Sequence, residues 1–222
     1  SGEIGYVREV FSPIIMIEGL PEVFVNEIVY FEDNSMGVVS ALNDKYVEVL
    51  SLAKNIIRPG IKVTRSNSVL SVPVGDGLLG KSIDPLCNPI YDNVMLKDTD
   101  ESRPVDVPSS GIATRAKITE PFETGVTSVD LMVPLGKGQR ELVIGDRKIG
   151  KTAFLYQTML SQVKHGTIVI YASIGKQRNS IKQLESFVER SKIKNKTILI
   201  SSSASDPLGH IYLTPYLSLI HI

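Results

Sequence analysis

GDRKIGKT, Gly145 to Thr152, is the stretch on which the reading of the whole chain turns. Its spacing, G-x-x-x-x-G-K-[ST], is that of a phosphate-binding loop, in which backbone N–H groups wrap phosphate oxygens, the lysine reaches the β/γ-phosphates and the hydroxyl ligates Mg²⁺. Four constrained positions in eight recur by accident in roughly one chain per hundred, so the flanks have to decide. Before the loop, ELVIG (141–145) reads as a short buried strand ending at the first glycine. After it, KTAFLYQTMLSQVKHG reads as a helix stopped by Gly166, whose N-terminus adds partial positive charge. The bland alternative is a strand-turn-helix that uses glycine for a tight turn and lysine for solvation. Beyond the helix, TIVIYASIG is a strand, RNSIKQLESFVERSKI a helix with Ile181, Leu184 and Val188 on one face, and TILISSSA a third strand. This β-α-β-α-β alternation predicts a parallel sheet with helices packed on it.

The N-terminal part has another rhythm. IGYVREV, PIIMIEG, NEIVYF, MGVVSAL, YVEVLSL, IKVTRS and VLSVPV are short runs rich in Val, Ile and Tyr, separated by turn material such as Asp33-Asn34-Ser35 and Pro59-Gly60. Strands at such close, regular spacing predict a small barrel or sandwich. From Gly75 to about Thr119 the pattern loosens into a turn-rich connector. The division expected is a β-barrel at 1–73, a phosphate-loop domain at 74–216, and a foreign tail at 217–222.

Composition excludes several classes. The 222 residues carry 24 basic and 24 acidic side chains, so nothing points to nucleic acid or an anionic membrane as an obligatory partner. The 42% apolar content is too high for disorder, yet no run approaches the ~20 residues that span a bilayer. The opening SGEIGYVREV lacks the basic-then-apolar order of a secretory leader. The lone Cys87 has no internal disulfide partner and reads as a passive loop residue.

Turning a nucleotide over needs more than holding it: a polar group to orient the attacking water, Mg²⁺ support from a later strand, and an arginine in cis or trans. The second strand of the unit ends in Gly175-Lys176-Gln177-Arg178, with no carboxylate until Glu185. Lys176 is a cation and accepts no proton. Asp206, in an Asp-Pro turn after the third strand, reads as structural. No apolar run ending in an acidic pair appears. The expected pocket holds a nucleotide without spending it.

At this point the residues resemble a known family, the alpha subunits of the rotary F-type ATP synthases. The motifs that carry the resemblance are VPVGDGLLGKSIDPLCNPI (72–90), EPFETGVTSVDLMVPLGKGQRELVIGDRKIGKT (120–152), ASIGKQR (172–178) and SASDP…YLTPY (203–216), with a weaker match in GLPEV (19–23). The loop form Gly-Asp-Arg-x-x-Gly-Lys-Thr looks like alpha; the catalytic beta subunit has a Gly-Gly-Ala-Gly type of loop and a glutamate where this chain has Lys176. The resemblance implies a barrel crown, a nucleotide-binding domain and then a C-terminal helical domain that this sequence does not contain. It also implies three alphas alternating with three betas around a central gamma shaft, with delta and b subunits in a peripheral stalk. The alpha chain then binds Mg·ATP or ADP without turning it over, within a complex that makes ATP from a transmembrane proton gradient. The implied location is peripheral, on the cytoplasmic face of the bacterial plasma membrane.

Carried over by position, Gly145, Asp146, Arg147, Lys148, Ile149, Gly150, Lys151 and Thr152 form the phosphate loop. Lys151 lies on phosphate, Thr152 on Mg²⁺, and Arg147 and Lys148 along the outer edge; Lys176 and Gln177 complete the set of expected nucleotide-binding residues. Lys148 and Ile149 stand where the family usually has Gln and Thr, and Lys176-Gln177 inverts its usual Gln-Lys. Two extra cations near the phosphates would tighten retention or alter preference. LSLIHI (217–222) fits nothing in the family and reads like a translated sequencing adapter, so Tyr216 is expected to be the last native residue of a fragment. The alternative readings are a self-sufficient export ATPase and a terminator-type RNA helicase. The first needs a carboxylate at position 176. The second needs a barrel with basic residues interleaved with stacking aromatics, and here Tyr6, Phe11, Phe24, Tyr30, Phe31 and Tyr46 are scattered.

Overall fold

The computed structural model describes residues 3–90, 101–107, 111, 113 and 115–220. The remaining stretches of the expected connector, and the last two residues of LSLIHI, lie outside the described residues.

Six strands close into an antiparallel barrel: β1 (Ile4–Phe11), β2 (Ile14–Glu18), β3 (Glu27–Phe31), β4 (Met36–Leu42), β5 (Val47–Ser51) and β6 (Lys62–Val69), in the order β1-β2-β5-β4-β3-β6. Alternation along each strand sends one set of side chains inward, so Val7, Ile15, Ile17, Val29, Phe31, Val39, Val49 and Val63 fill the interior. Each contributes about 1.5–3 kcal/mol of burial relative to exposure. Asn34 takes the left-handed conformation (φ 62°) in the β3–β4 turn, and Asp33 accepts from the Ser35 N–H at 3.0 Å. The same inward face of β3 carries Glu27, which is fully buried and accepts from Arg65 Nε (3.0 Å) and Nη2 (3.1 Å) and from the Asn67 N–H (2.8 Å).

The seventh β-run is not a barrel strand. β7 (Ser71–Val74) leaves the barrel and pairs antiparallel with a strand inside the expected connector. That connector also supplies β8 (Ser82–Ile83), and β7's partner is β9 (Glu101–Pro104). A small ribbon of β10 (Pro121–Phe122) and β11 (Leu135–Gly136) brackets α1 (Thr127–Met132). Then come α2 (Lys151–Lys164), β12 (Val169–Lys176), α3 (Arg178–Arg190), β13 (Thr197–Ser203) and α4 (Leu208–Ile220).

β12, β13 and β8 form a parallel sheet in that order, with Tyr171 beside Leu199 and Ile200 beside Ile83. α2 and α3 cover one face through Met159, Leu184 and Val188 against Leu199. α4 covers the other: Leu213 and Leu217 pack with Ile198 and Ile200, and the same core includes Val38, Leu50 and Leu52 of the barrel side. Leu217, the first residue of LSLIHI, is fully buried in this core. Two expectations need correcting. ELVIG is not a strand: residues 141–146 have no regular structure, and Leu142 and Ile144 are 81% and 78% exposed. A strand needs a neighbour to satisfy its backbone donors and acceptors, and among the described residues none pairs with 141–145. The third parallel strand is instead the two-residue β8.

No helix among the described residues is long and apolar enough to cross a membrane. Cys87 is buried, and burial, helped by Asp84, pushes its thiol up to about 12, which keeps it inert.

The junction of α4 with the barrel rests on one glycine. A Cβ at Gly209 would run into the Ser51 carbonyl oxygen and lie 2.9 Å from Leu52 Cδ2, while His210 Nε2 donates to the Leu52 carbonyl at 3.1 Å. Backbone cannot yield as a side-chain tip does. Gly209→Ala is therefore expected to destabilise by about 1–3 kcal/mol as an overpacked contact, read as a lowered urea midpoint; an unchanged midpoint would mean the joint is slack.

Candidate functional site

The loop GDRKIGKT leads directly into α2. Gly150 is the helix N-cap in the left-handed region (φ 99°, ψ 8°), a conformation that costs other residues about 1–2 kcal/mol. Lys148 is also left-handed (φ 66°). Together these two reversals turn the chain from the irregular 141–146 segment into the helix. The Phe154 N–H bonds to the Gly150 carbonyl at 2.9 Å, and no acceptor takes the N–H groups of Lys151, Thr152 or Ala153 among the described residues. Those free donors and the helix dipole form a ready anion cradle. The first turn of α2 holds no acidic side chain.

Lys151 is half-buried at the start of α2, and its Nζ folds back to donate to the carbonyls of Gly145 and Asp146. The ammonium is thereby held over the loop, next to the free N–H groups. Thr152 is exposed and its hydroxyl has no hydrogen-bond partner among the described residues. Arg147 and Lys148 are exposed, so the loop presents three cations against the single carboxylate of Asp146. Such a donor set fits a polyphosphate, with the Thr152 hydroxyl free for a Mg²⁺ that would otherwise be held by phosphate oxygens and water. Among the described residues no group of three or more His, Cys, Asp or Glu side chains forms a protein-only metal site.

Residues 145–152 are brought together by their adjacency. Lys176 and Gln177 lie elsewhere, at the C-terminal end of β12, and no hydrogen bond or ion pair among the described residues joins them to the loop. Lys176 is exposed; its carbonyl accepts from the Ala204 N–H at 3.0 Å, and Gln177 caps α3 in an extended conformation without a side-chain bond. Asp206 is structural, as read: its Oδ2 accepts from the Ser203 N–H at 2.7 Å.

Sequence reasoning missed the brace that steadies α2. Thr124, fully buried, donates its hydroxyl to Asp130 Oδ1 at 2.7 Å, and the Gly125 N–H donates to Oδ2 at 3.0 Å. Bonds from Thr124 hold the Asp130 carboxyl below its usual range. Gln162 of α2 reaches back to the Glu123 carbonyl at 2.8 Å, and a Cβ on Gly125 would sit 2.9 Å from Gln157 Nε2. The signal was present in Glu-Thr-Gly-Val-Thr-Ser-Val-Asp, a threonine and a downstream aspartate around a helix start.

Comparison with known proteins adds to this geometry. Residues 125–221 match the nucleotide-binding domain of the ATP synthase alpha/beta family. The chain is 37% identical over 223 residues to the ATP synthase subunit alpha of Clavibacter michiganensis subsp. michiganensis, a match that covers 96% of this chain. It is 36% identical over 225 residues to that of Leifsonia xyli subsp. xyli, with 97% of this chain covered, and 34% over 215 residues to that of Lactobacillus delbrueckii subsp. bulgaricus, with 96% covered. It spans 41% of the length of the first two relatives and 42% of the third.

Proposed function

Because this chain belongs, through residues 125–221, to the ATP synthase alpha/beta family, we propose that it is the nucleotide-holding, non-catalytic alpha chain of a rotary ATP synthase. One observation carries the reading: the free N–H groups opening α2 lie beside Lys151, while the strand end that would offer a catalytic carboxylate offers the exposed cation Lys176. A site of strong phosphate donors whose strand end carries a cation in place of a carboxylate favours retention over turnover.

In this reading Gly145 to Gly150 wrap the phosphates, Lys151 exchanges its loop carbonyls for β/γ-phosphate oxygens, and Thr152 ligates Mg²⁺. Lys176 and Gln177 approach the phosphates from the end of β12, adding positive charge. The partners are beta subunits in an alternating ring, the gamma shaft, and the delta and b subunits of the stalk. The complex is the one that makes ATP from ADP and phosphate by a transmembrane proton gradient, bound peripherally to the cytoplasmic face of the bacterial membrane. Domain limits at 73/74 and a foreign origin for 217–222 belong to the same proposal; finding LSLIHI encoded in the intact locus would remove the latter.

The test is the fate of Mg·ATP on the chain purified without partner subunits. Nucleotide trapped on a filter is separated into ATP and ADP over time. Retained, uncleaved ATP is expected. Steady conversion to ADP would transfer the reading to a self-sufficient motor ATPase.

A further inference from the structure

A second cleft, of about 690 Å³, opens where β13 and β8 end, between the start of α3, the start of α4 and the barrel-side segment that carries Lys54. Crevices at the carboxyl ends of parallel strands are where such sheets bind ligands. Three cations line it, Lys54, Arg178 and Lys182, and none has a hydrogen bond or ion pair among the described residues. Two of them occupy the first two turns of α3, where the helix dipole disfavours positive charge. The N-cap Gln177 provides no side-chain bond; its carbonyl accepts from Ser180 and Ile181, and the N–H groups of Arg178 and Asn179 have no acceptor among the described residues.

An independent feature points the same way. Ser201 is 2% exposed, and its hydroxyl is a buried polar group without a hydrogen-bond partner among the described residues. Strand alternation puts it on the face of β13 shared with Leu199 and Ser203, the face that lines this cleft. A buried hydroxyl left unpaired costs free energy that a ligand oxygen recovers. Two carboxylates, Asp84 and Asp206, also line the cleft, so its formal balance is three cations to two anions. Asp84 accepts from the Leu86 and Asn88 N–H groups at 2.8 Å each and from the Asn88 side chain, and Asp206 accepts from the Ser203 N–H at 2.7 Å. Both are committed to holding turns. His210 is occupied as well, by its bond to the Leu52 carbonyl.

We propose that this cleft binds a phosphate-class oxyanion, drawn by Lys54, Arg178 and Lys182, seated on the open N-terminus of α3 and completed by the Ser201 hydroxyl. None of residues 145–152 lines the cleft, although the N-cap of α3, Gln177, is also among the residues proposed above to approach the nucleotide. The occupant of the cleft is inorganic phosphate or the phosphoryl end of a nucleotide, which share this chemistry.

The test is equilibrium dialysis of radiolabelled inorganic phosphate against the whole chain at low ionic strength, with Lys151→Ala as the background that removes the phosphate loop. Binding is expected to persist in Lys151→Ala and to fall by roughly tenfold or more when Arg178→Gln and Lys182→Gln are added, since charge-assisted bonds are lost. Both side chains are exposed, and unchanged circular dichroism will report an intact fold. Ser201→Ala removes an unpaired hydroxyl, so it leaves thermal unfolding unchanged or raised while weakening phosphate by roughly threefold or more. ATP added to the Lys151→Ala chain identifies the source: displacement of phosphate marks a phosphoryl end, retention marks free phosphate, and both outcomes support the site. No phosphate bound, binding abolished by Lys151→Ala alone, or binding indifferent to the Arg178/Lys182 pair would each overturn it.

Discussion

Glu27→Ala is expected to lower the stability of the chain by about 3 kcal/mol, visible as a melting temperature roughly 10 °C lower for a protein of this size. The carboxylate is fully buried and holds Arg65 through two bonds, while the Arg65 side chain is itself only 8% exposed. Removing it strands a guanidinium inside the barrel wall and frees the Phe24 and Asn67 N–H groups. The loss stays at the low end of the range for buried pairs because Glu3 at 3.5 Å and Glu22 at 3.6 Å still face Arg65. The pair also imposes a pH dependence. Burial alone would raise the Glu27 pKa, but the bonds from Arg65, Asn67 and Phe24 outweigh it and leave the group below its ordinary 4.5. A carboxyl whose folded pKa is depressed contributes stability that is fully present above its unfolded value and is lost as pH falls through the folded value. Wild type should therefore weaken on acidification below about pH 4.5, and Glu27→Gln should lose this component of the slope. Equal melting temperatures for wild type and Glu27→Ala would mean that the pair contributes nothing.

Lys151→Ala is expected to weaken Mg·ATP retention by roughly 100-fold, the equivalent of a charged hydrogen bond of about 3 kcal/mol. The ammonium is the one cation fixed on the loop, bonded to the Gly145 and Asp146 carbonyls beside the free N–H groups of α2. Because α2 is anchored through Gln162 and its own side-chain packing, the substitution leaves the helix in place, and the fold should melt as before. Lys151→Arg should restore little, since a planar fork does not replace a compact ammonium in a tight loop. Retention within threefold of wild type in a dialysis measurement would remove Lys151 from the phosphate site.

Local pattern made much of this legible. The barrel strands followed from alternation and turn residues, and Ile181, Leu184 and Val188, read as one helical face, are all buried. GDRKIGKT could be read because its glycines, lysine and helix start are contiguous. What escaped was non-local. Ser82-Ile83 became a sheet strand only through Leu199 and Ile200, more than a hundred residues away, and two residues show no period. ELVIG had the composition of a strand but no neighbour among the described residues. Nothing in NEIVYF marks Glu27 as buried, yet the barrel turns it to the same side as Val29 and Phe31, where Arg65 and the Asn67 and Phe24 N–H groups satisfy it. The cleft at Ser201 was invisible for the same reason: its cations come from positions 54, 178 and 182, and its hydroxyl from a strand, TILISSSA, whose serines carry no sign of what they face.

The sheet order β12-β13-β8 sets how this chain behaves when many copies meet. The barrel is closed and offers no unpaired strand to a neighbour. The parallel sheet ends on β12, eight residues long, with nothing bonded along its outer side among the described residues, and the exposed apolar stretch 141–146 belongs to the same half of the chain. An unpaired edge of this length is where a strand from another copy would add, whereas the closed barrel offers no such edge.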